Sequence, residues 1–256
     1  MQKDFTLSTY KYLLETALES RYLFYSFQEY CEGKAQGKFI IMRHDVDIKA
    51  YNSLVIARIE AGLGIRATYY FRVVPQSNIP SIIKKIAALG HEIGYHYEDL
   101  SLFKGNPEKS IEHFERQLSY LRQFYPVKTI CMHGSPLSKW DNRDLWKNYN
   151  YRDYGIIGEP YFDLLIKPML DNIVYFTDTA RMWDGDKFNV RDKVSYQLSV
   201  NSEHSWVHST FDVMKWLKTS DNLSNIMITT HPQRWTDSKI DWMIELISQS
   251  IKNLLP

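Results

Sequence analysis

Lys38-Phe-Ile-Ile-Met-Arg-His-Asp-Val-Asp47 begins with an apolar run, Phe39 to Met42, and ends in a cluster holding Arg43, His44, Asp45 and Asp47. Apolar, strand-prone side chains followed at once by charge read as a buried strand that delivers polar residues at its C-terminal end. Three further stretches repeat the design. His96-Tyr97-Glu98-Asp99 closes a short run ending in Gly94-Tyr95, His133-Gly134-Ser135-Pro136 follows Thr129 to Met132, and His231-Pro232 follows Ile226 to Thr230. Parallel α/β folds gather strand C-terminal ends on one face, where residues remote in sequence converge on a metal or a substrate. On that ground the chain reads as an enzyme.

Outward from the first strand, placed over Lys38 to Arg43, helical and strand patterns alternate. A helix over Ala50 to Ala61 is stopped by Gly62 and Gly64, and a strand over Ala67 to Val74 is stopped by Pro75. A helix over Ile79 to Leu89, a strand over His91 to Tyr95, a helix over Pro107 to Phe124 and a strand over Lys128 to Met132 follow. Upstream, Thr9 to about Gln28 reads as one extra helix capping an end of the barrel. Beyond Ser138 the expected elements are shorter: a helix at Asn142 to Lys147, strands at Asn172 to Phe176 and Ser195 to Val200, and a helix at Phe211 to Thr219. A last strand over Asn225 to Thr230 and a helix over Asp237 to Leu254 complete the pattern. Repeated βαβ units imply an α/β fold, and α/β barrels of about 250 residues commonly form one domain, so residues 1–256 are expected to be one.

Thirty-one basic against 30 acidic side chains leave a net charge of +1, which gives no footprint for nucleic acid or an anionic membrane. Cys31 and Cys131 are too few and too far apart for a disulfide framework or a Cys-x-x-Cys metal site, which fits a reducing cytoplasm. No apolar run reaches the length of about 18 residues that a membrane span requires, and the N-terminal stretch lacks a signal-type apolar core. Aromatic residues make up 14% of the chain, and Tyr95, Tyr97, Trp140, Trp183 and Trp235 fall beside polar clusters. Such rings stack on sugars or fill a core.

Residues i and i+2 share a face of a strand, so Arg43, Asp45 and Asp47 can point the same way. A bound cation or Arg43 would relieve the repulsion between the two carboxylates, and a pair with one member on a metal and the other free can deprotonate a water. The alternative is an ordinary surface turn, which the preceding apolar run disfavours. His96, His133 and His231 each end a strand-like run, while His44 faces the other side and is expected to pack behind the site. His91, His113, His204 and His208 have weaker settings, the last two being reserve ligands. An Asp with two His and an open position suits hydrolytic Zn²⁺, and the same donors admit Co²⁺, Ni²⁺, Mn²⁺ or Fe²⁺.

At these residues the chain resembles the NodB-like polysaccharide deacetylases, carbohydrate esterase family four, and within them a subgroup whose first motif reads Arg-His-Asp-Val-Asp. Gly90-His-Glu-Ile-Gly-Tyr-His96 is similar to that family's Gly-His-Glu-Ile-Gly-Asn-His, and Gly64-Ile-Arg-Ala-Thr-Tyr-Tyr-Phe71 resembles its second strand. The resemblance spans nearly the whole chain. It implies a distorted, seven-stranded (β/α) barrel that removes N-acetyl or O-acetyl groups from sugars with a divalent metal.

Carried over by position, the resemblance makes Asp45 the general base, His96 the first metal-binding His, and His231 the group that protonates the leaving amine. The family's second Asp falls at Val46, so the metal role passes to Asp47 by a shift of one residue. The second His of the usual His-x-x-x-His falls at Leu100, which cannot bind metal. His133 is the expected replacement, ahead of Glu98 and Asp99. Tyr154 to Tyr161 and Thr177 to Gly185 are implied to lie on the substrate side, with ordinary loop packing as the alternative. Arg43, Asp178, Trp183 and Trp235 are the expected substrate-binding residues, Asp178 alternatively orienting a catalytic partner.

The expected substrate is an acetylated sugar on a nucleotide-linked or lipid-linked precursor of a surface polysaccharide. Two rival readings remain at this point. One is a catalytically silent, sugar-binding relative, favoured by Leu100; the other is an amidohydrolase of small nitrogenous metabolites.

Overall fold

The computed structural model describes residues 3–165, 173–183, 207–219 and 224–254. Its centre is strand β2 (Phe39–Val46), all eight residues of which are buried. Three of them are polar, and a buried polar group is costly unless partnered. Arg43 pairs with Asp45, while His44 turns to the opposite face, its Nε2 2.7 Å from Glu60 and its Nδ1 2.7 Å from the Thr230 hydroxyl.

Around β2 lie β1 (Leu23–Tyr25), β3 (Thr68–Phe71), β4 (Glu92–Tyr97), β5 (Ile130–Met132), β6 (Val174–Thr177) and β7 (Ile226–Thr230), and every pairing among them is parallel. The order across the sheet is β5-β4-β3-β2-β7-β6, with β1 also on β2. β1 accompanies the first half of β2, Leu23 opposite Phe39, and β3 the second, Arg43 opposite Thr68. From β2 the chain steps through β3, β4 and β5 on one side and returns through β6 and β7 on the other. A parallel bridge from Thr129 to Gly158 carries the curl one step past β5. That cyclic order is a (β/α) barrel; among the described residues nothing pairs the Gly158 segment with β6, so it is distorted and open there.

Helices α1 (Leu7–Glu19), α2 (Phe27–Cys31), α3 (Ala50–Gly62), α4 (Pro80–Ala88), α5 (Asp99–Leu102), α6 (Pro107–Leu121), α7 (Thr210–Lys218) and α8 (Lys239–Leu254) accompany the strands. In α6, Pro107 occupies the first turn, the Asn106 carboxamide accepts from the Lys109 N–H, and Ile111, Phe114, Leu118 and Leu121 form the buried stripe. Buried side chains from both layers form one continuous core.

The reading of Thr9 to Gln28 as one helix is corrected. Helix α1 ends at Glu19, Arg21 adopts a left-handed φ of +62°, and the Tyr22 N–H donates to the Ala17 carbonyl, releasing Leu23 into β1. The chain then enters α2 through a capping box between Ser26 and Glu29. Asn142 to Lys147 forms a 3₁₀ segment. The strand expected at Ser195 to Val200 lies outside the described residues. No helix among the described residues is long and apolar enough to cross a membrane.

Candidate active site

The sheet delivers its polar residues to one rim because each follows or ends a parallel strand. Asp45 is the penultimate residue of β2 with Asp47 just beyond; His96 lies near the end of β4; His133, Asp178 and His231 directly follow β5, β6 and β7. Strand register brings His96 opposite Cys131 and His44 opposite Thr230, so His133 and His231 emerge on the two sides of the Asp45 strand end.

Asp47 is the point of convergence. Its Oδ1 lies 3.5 Å from His96 Nε2 and 3.6 Å from His133 Nε2, and its Oδ2 lies 3.9 Å from His231 Nε2. The Gln233 amide donates to Oδ2 at 3.2 Å, whereas Oδ1 is buried and has no hydrogen-bond partner. Burial pushes the Asp47 carboxyl up, but the adjoining imidazoles, His96 first and then His133 and His231, hold it well below the ordinary carboxylate range.

The tautomers of the two imidazoles follow from their other nitrogens. His96 Nδ1 is 3.0 Å from the Cys131 carbonyl, an acceptor only, so Nδ1 carries the proton and Nε2 turns a lone pair to the carboxylates. His133 Nδ1 is 3.0 Å from both Glu98 Oε2 and the Ser135 hydroxyl, and donation to Glu98 leaves its Nε2 facing Asp47. A ring N–H anchored on a carbonyl or carboxylate, with the other nitrogen presented to a shared point, is the arrangement of metal-binding histidines. Donors about 2.0–2.2 Å from a tetrahedral ion stand roughly 3.4 Å apart, close to the separations around Asp47 Oδ1. The orphaned oxygen and the two lone pairs are donors of the kind that bind a divalent cation, each imidazole nitrogen standing 3.5–3.6 Å from Oδ1.

A second set, Asp45, His96 and Cys131, is the one among the described residues whose three donor atoms all lie within 4.8 Å of one another. There the charge of Asp45 is already matched, since Arg43 donates through Nε to Oδ1 at 2.8 Å and through Nη2 to Oδ2 at 2.6 Å. A cation there would also face the guanidinium. Burial pushes the Asp45 carboxyl up, and Arg43 followed by His96 outweighs it, holding the group ionised below its usual range. Burial likewise lowers the His96 pKa, but Asp45 and Asp47 raise it above its ordinary value, so the pocket favours positive charge between the carboxylates.

On the other side of Asp47, His231 Nδ1 donates to Asp178 Oδ1 at 2.6 Å, and the His231 backbone N–H donates to the same carboxylate. Asp178 is completely buried and also accepts from the Trp235 indole at 2.8 Å and from Arg234 at 3.0 Å. Burial raises its pKa, and the Arg234 and His231 charges more than offset this, lowering it. His231 Nε2 is thus the free nitrogen, turned to the Asp47 side.

The structure brings together Asp45, Asp47, His96, His133 and His231, with Arg43 and Asp178 behind them. The expected substrate-binding set needs correction. Arg43 and Asp178 are spent on Asp45 and His231, Trp235 packs between Phe5 and Tyr10 at 1% exposure, and Trp183 is 3% exposed with its indole on Thr210. None of the four offers a face to a sugar. Among the reserve ligands, His208 is exposed and His204 lies outside the described residues, as do Asp184 and Gly185. His91 is structural, its Nε2 donating to the Ala57 carbonyl while Nδ1 accepts from the Ala67 N–H. Sequence reasoning ranked Glu98 only as a weak ligand and passed over Gln233; the proximity of Glu98 to His96 in a polar cluster was its one signal.

No protein-family model matches this chain, and no curated protein matches it in sequence. Among solved structures it is similar to the crystal structure of the Xyl-CE4 domain of a multidomain xylanase from the hindgut metagenome of Trinervitermes trinervoides. The two share 16% identity over 86% of this chain and 83% of that one, with a TM-score of 0.41.

Proposed function

We propose that the protein is a metal-dependent hydrolase that removes an acetyl group from the nitrogen, or the oxygen, of a sugar. The observation that carries the reading is the buried, unpartnered Oδ1 of Asp47 facing two imidazole lone pairs, with an ionised carboxylate on one side and a carboxylate-anchored imidazole on the other. Asp47, His96 and His133 would hold the cation, Zn²⁺ first among the divalent ions the donors admit. When bound, such an ion supplies Lewis acidity toward a carbonyl oxygen.

The remaining steps belong to the chain's own side chains. Asp45, kept ionised and fixed in orientation by Arg43, takes the proton of the attacking water. His231 gives a proton from Nε2 to the departing nitrogen or oxygen, and Asp178 holds Nδ1–H so that this nitrogen is the one in play. The catalytically silent alternative has no use for two separately anchored proton-transfer groups flanking one buried carboxylate. An acetylated precursor met in the cytoplasm is the proposed setting.

Acetate release from N-acetylated saccharides by the metal-loaded protein tests this reading. Release that is lost in Asp45→Asn while metal is retained supports it; metal-loaded protein inert toward every acetylated sugar and ester contradicts it.

A further inference from the structure

A groove of about 690 Å³ opens from the candidate site and is lined by His133 and Glu98 together with Arg72, Lys104, Lys139 and Trp140. Its shape is built in. The Trp140 ring rests on Gly105, where an added Cβ would come within 2.6 Å of the indole and where φ is +82°. Ser135 holds a left-handed φ of +43°, its hydroxyl accepting from the Asn142 amide at 3.2 Å, and the same amide donates to the His133 carbonyl at 2.7 Å. A non-glycine residue at that φ is uncommon and persists only where its surroundings fix it.

The charge of the groove is unbalanced. Glu98, its one lining carboxylate, is consumed by a bidentate pair with Arg72 at 2.7–2.9 Å and by His133. Lys104 and Lys139 are both exposed, and neither belongs to any ion pair among the described residues. Lys139 Nζ lies 4.9 Å from the Trp140 ring centroid. Two exposed ammonium groups without an ion pair among the described residues, and an indole, thus line the groove beside His133.

We propose that the saccharide handled at this site carries an anionic group, a phosphate or a carboxylate, next to the reacting sugar, and that Lys104 and Lys139 bind it across Trp140. This rests on the hydrolase reading. Lysine binds phosphate and carboxylate alike as a point charge, and two exposed ammonium groups give a contribution that salt screens. The residue in contact with the acetyl group is read by the metal-side cluster, and the neighbouring charge by the groove.

The test measures, on the metal-loaded protein, binding by calorimetry and acetate release for three probes: N-acetylglucosamine 1-phosphate, an N-acetylglucosamine linked to a hexuronic acid, and an uncharged N-acetylglucosamine oligomer. The expected result is a preference of about tenfold or more for an anionic probe, weakened by salt. That preference disappears in Lys104→Ala/Lys139→Ala and is kept in Lys104→Arg/Lys139→Arg. A preference for the first probe assigns phosphate, and for the second carboxylate. Equal binding of all three probes, or a preference that survives the double alanine variant, overturns the proposal. Lysine-dependent binding of an anionic probe without any acetate release leaves the groove assignment standing and removes the hydrolase reading instead.

Discussion

Asp178 Oδ1 lies 2.6 Å from His231 Nδ1 and holds the imidazole with Nε2 toward Asp47, 3.9 Å away. The carboxylate is itself fixed by Trp235 and Arg234, so the histidine has one tautomer and one orientation. Asp178→Asn keeps the shape and removes the negative charge that anchors the His231 Nδ1–H. Turnover should fall by on the order of 10²–10⁴, the range for loss of a positioned acid or base, with metal content unchanged. Metal content that fell together with turnover would place Asp178 in the metal site instead.

Arg43 sets the acid side of the pH profile. Both oxygens of the buried Asp45 are bonded to its guanidinium, which holds the carboxyl below its usual range against the effect of burial. Asp45 acts as a base only when ionised, so Arg43→Met, which leaves burial unopposed, should move the acidic limb of kcat/KM to higher pH. An uncompensated buried carboxylate should also cost about 3–5 kcal/mol of stability near neutral pH. A pH–rate profile that kept its acidic limb in place would show that Asp45 does not titrate in catalysis.

Behind the site, Glu60 of α3 accepts from Tyr10 at 2.6 Å and from Tyr69 at 2.5 Å and is 2.7 Å from His44. Burial raises its pKa, and His44 outweighs this, leaving it below the ordinary value of 4.5. A carboxyl depressed in the folded state contributes stability above its unfolded pKa and loses it as pH falls through the folded value. Glu60→Gln should therefore be destabilising by about 3–5 kcal/mol at pH 7, with the gap to wild type narrowing below roughly pH 4.5. Denaturant unfolding at pH 7 and pH 4 reads this, and a gap that widened on acidification would contradict it.

Much of this arrangement was legible in the sequence because it depends on period and position. Apolar runs ending in Asp45, His96, His133 and His231 located four strand ends, and parallel topology put them on one rim. Partnerships were not legible. The charges of Arg43 and Asp178 suggested ligand contact, but His231 is 53 residues from Asp178 and the two meet only when β6 pairs with β7. Trp183 and Trp235 carry no local mark of burial, since an indole beside a polar cluster serves a core or a cleft equally well. β1 escaped because the helical pattern runs on past Glu19, and the turn out of α1 uses Arg21 in a left-handed conformation where glycine would have signalled a stop.

Cys131 separates the two candidate metal sets. Its thiol belongs to the Asp45, His96 and Cys131 group, and it takes no part in the arrangement around Asp47. Cys131→Ser should therefore leave metal stoichiometry unchanged, as determined by elemental mass spectrometry of the reconstituted protein. Loss of metal in that variant would move the ion to the Asp45 side.

The most direct measurement is metal content of the purified and reconstituted wild type beside Asp47→Ala and His133→Ala. The arrangement around Asp47 Oδ1 predicts about one equivalent of a divalent transition metal in the wild type and its loss in both variants, because each removes a donor from a cluster of three. Full metal content in His133→Ala, or no metal in reconstituted wild type, would contradict the metal centre on which the account rests.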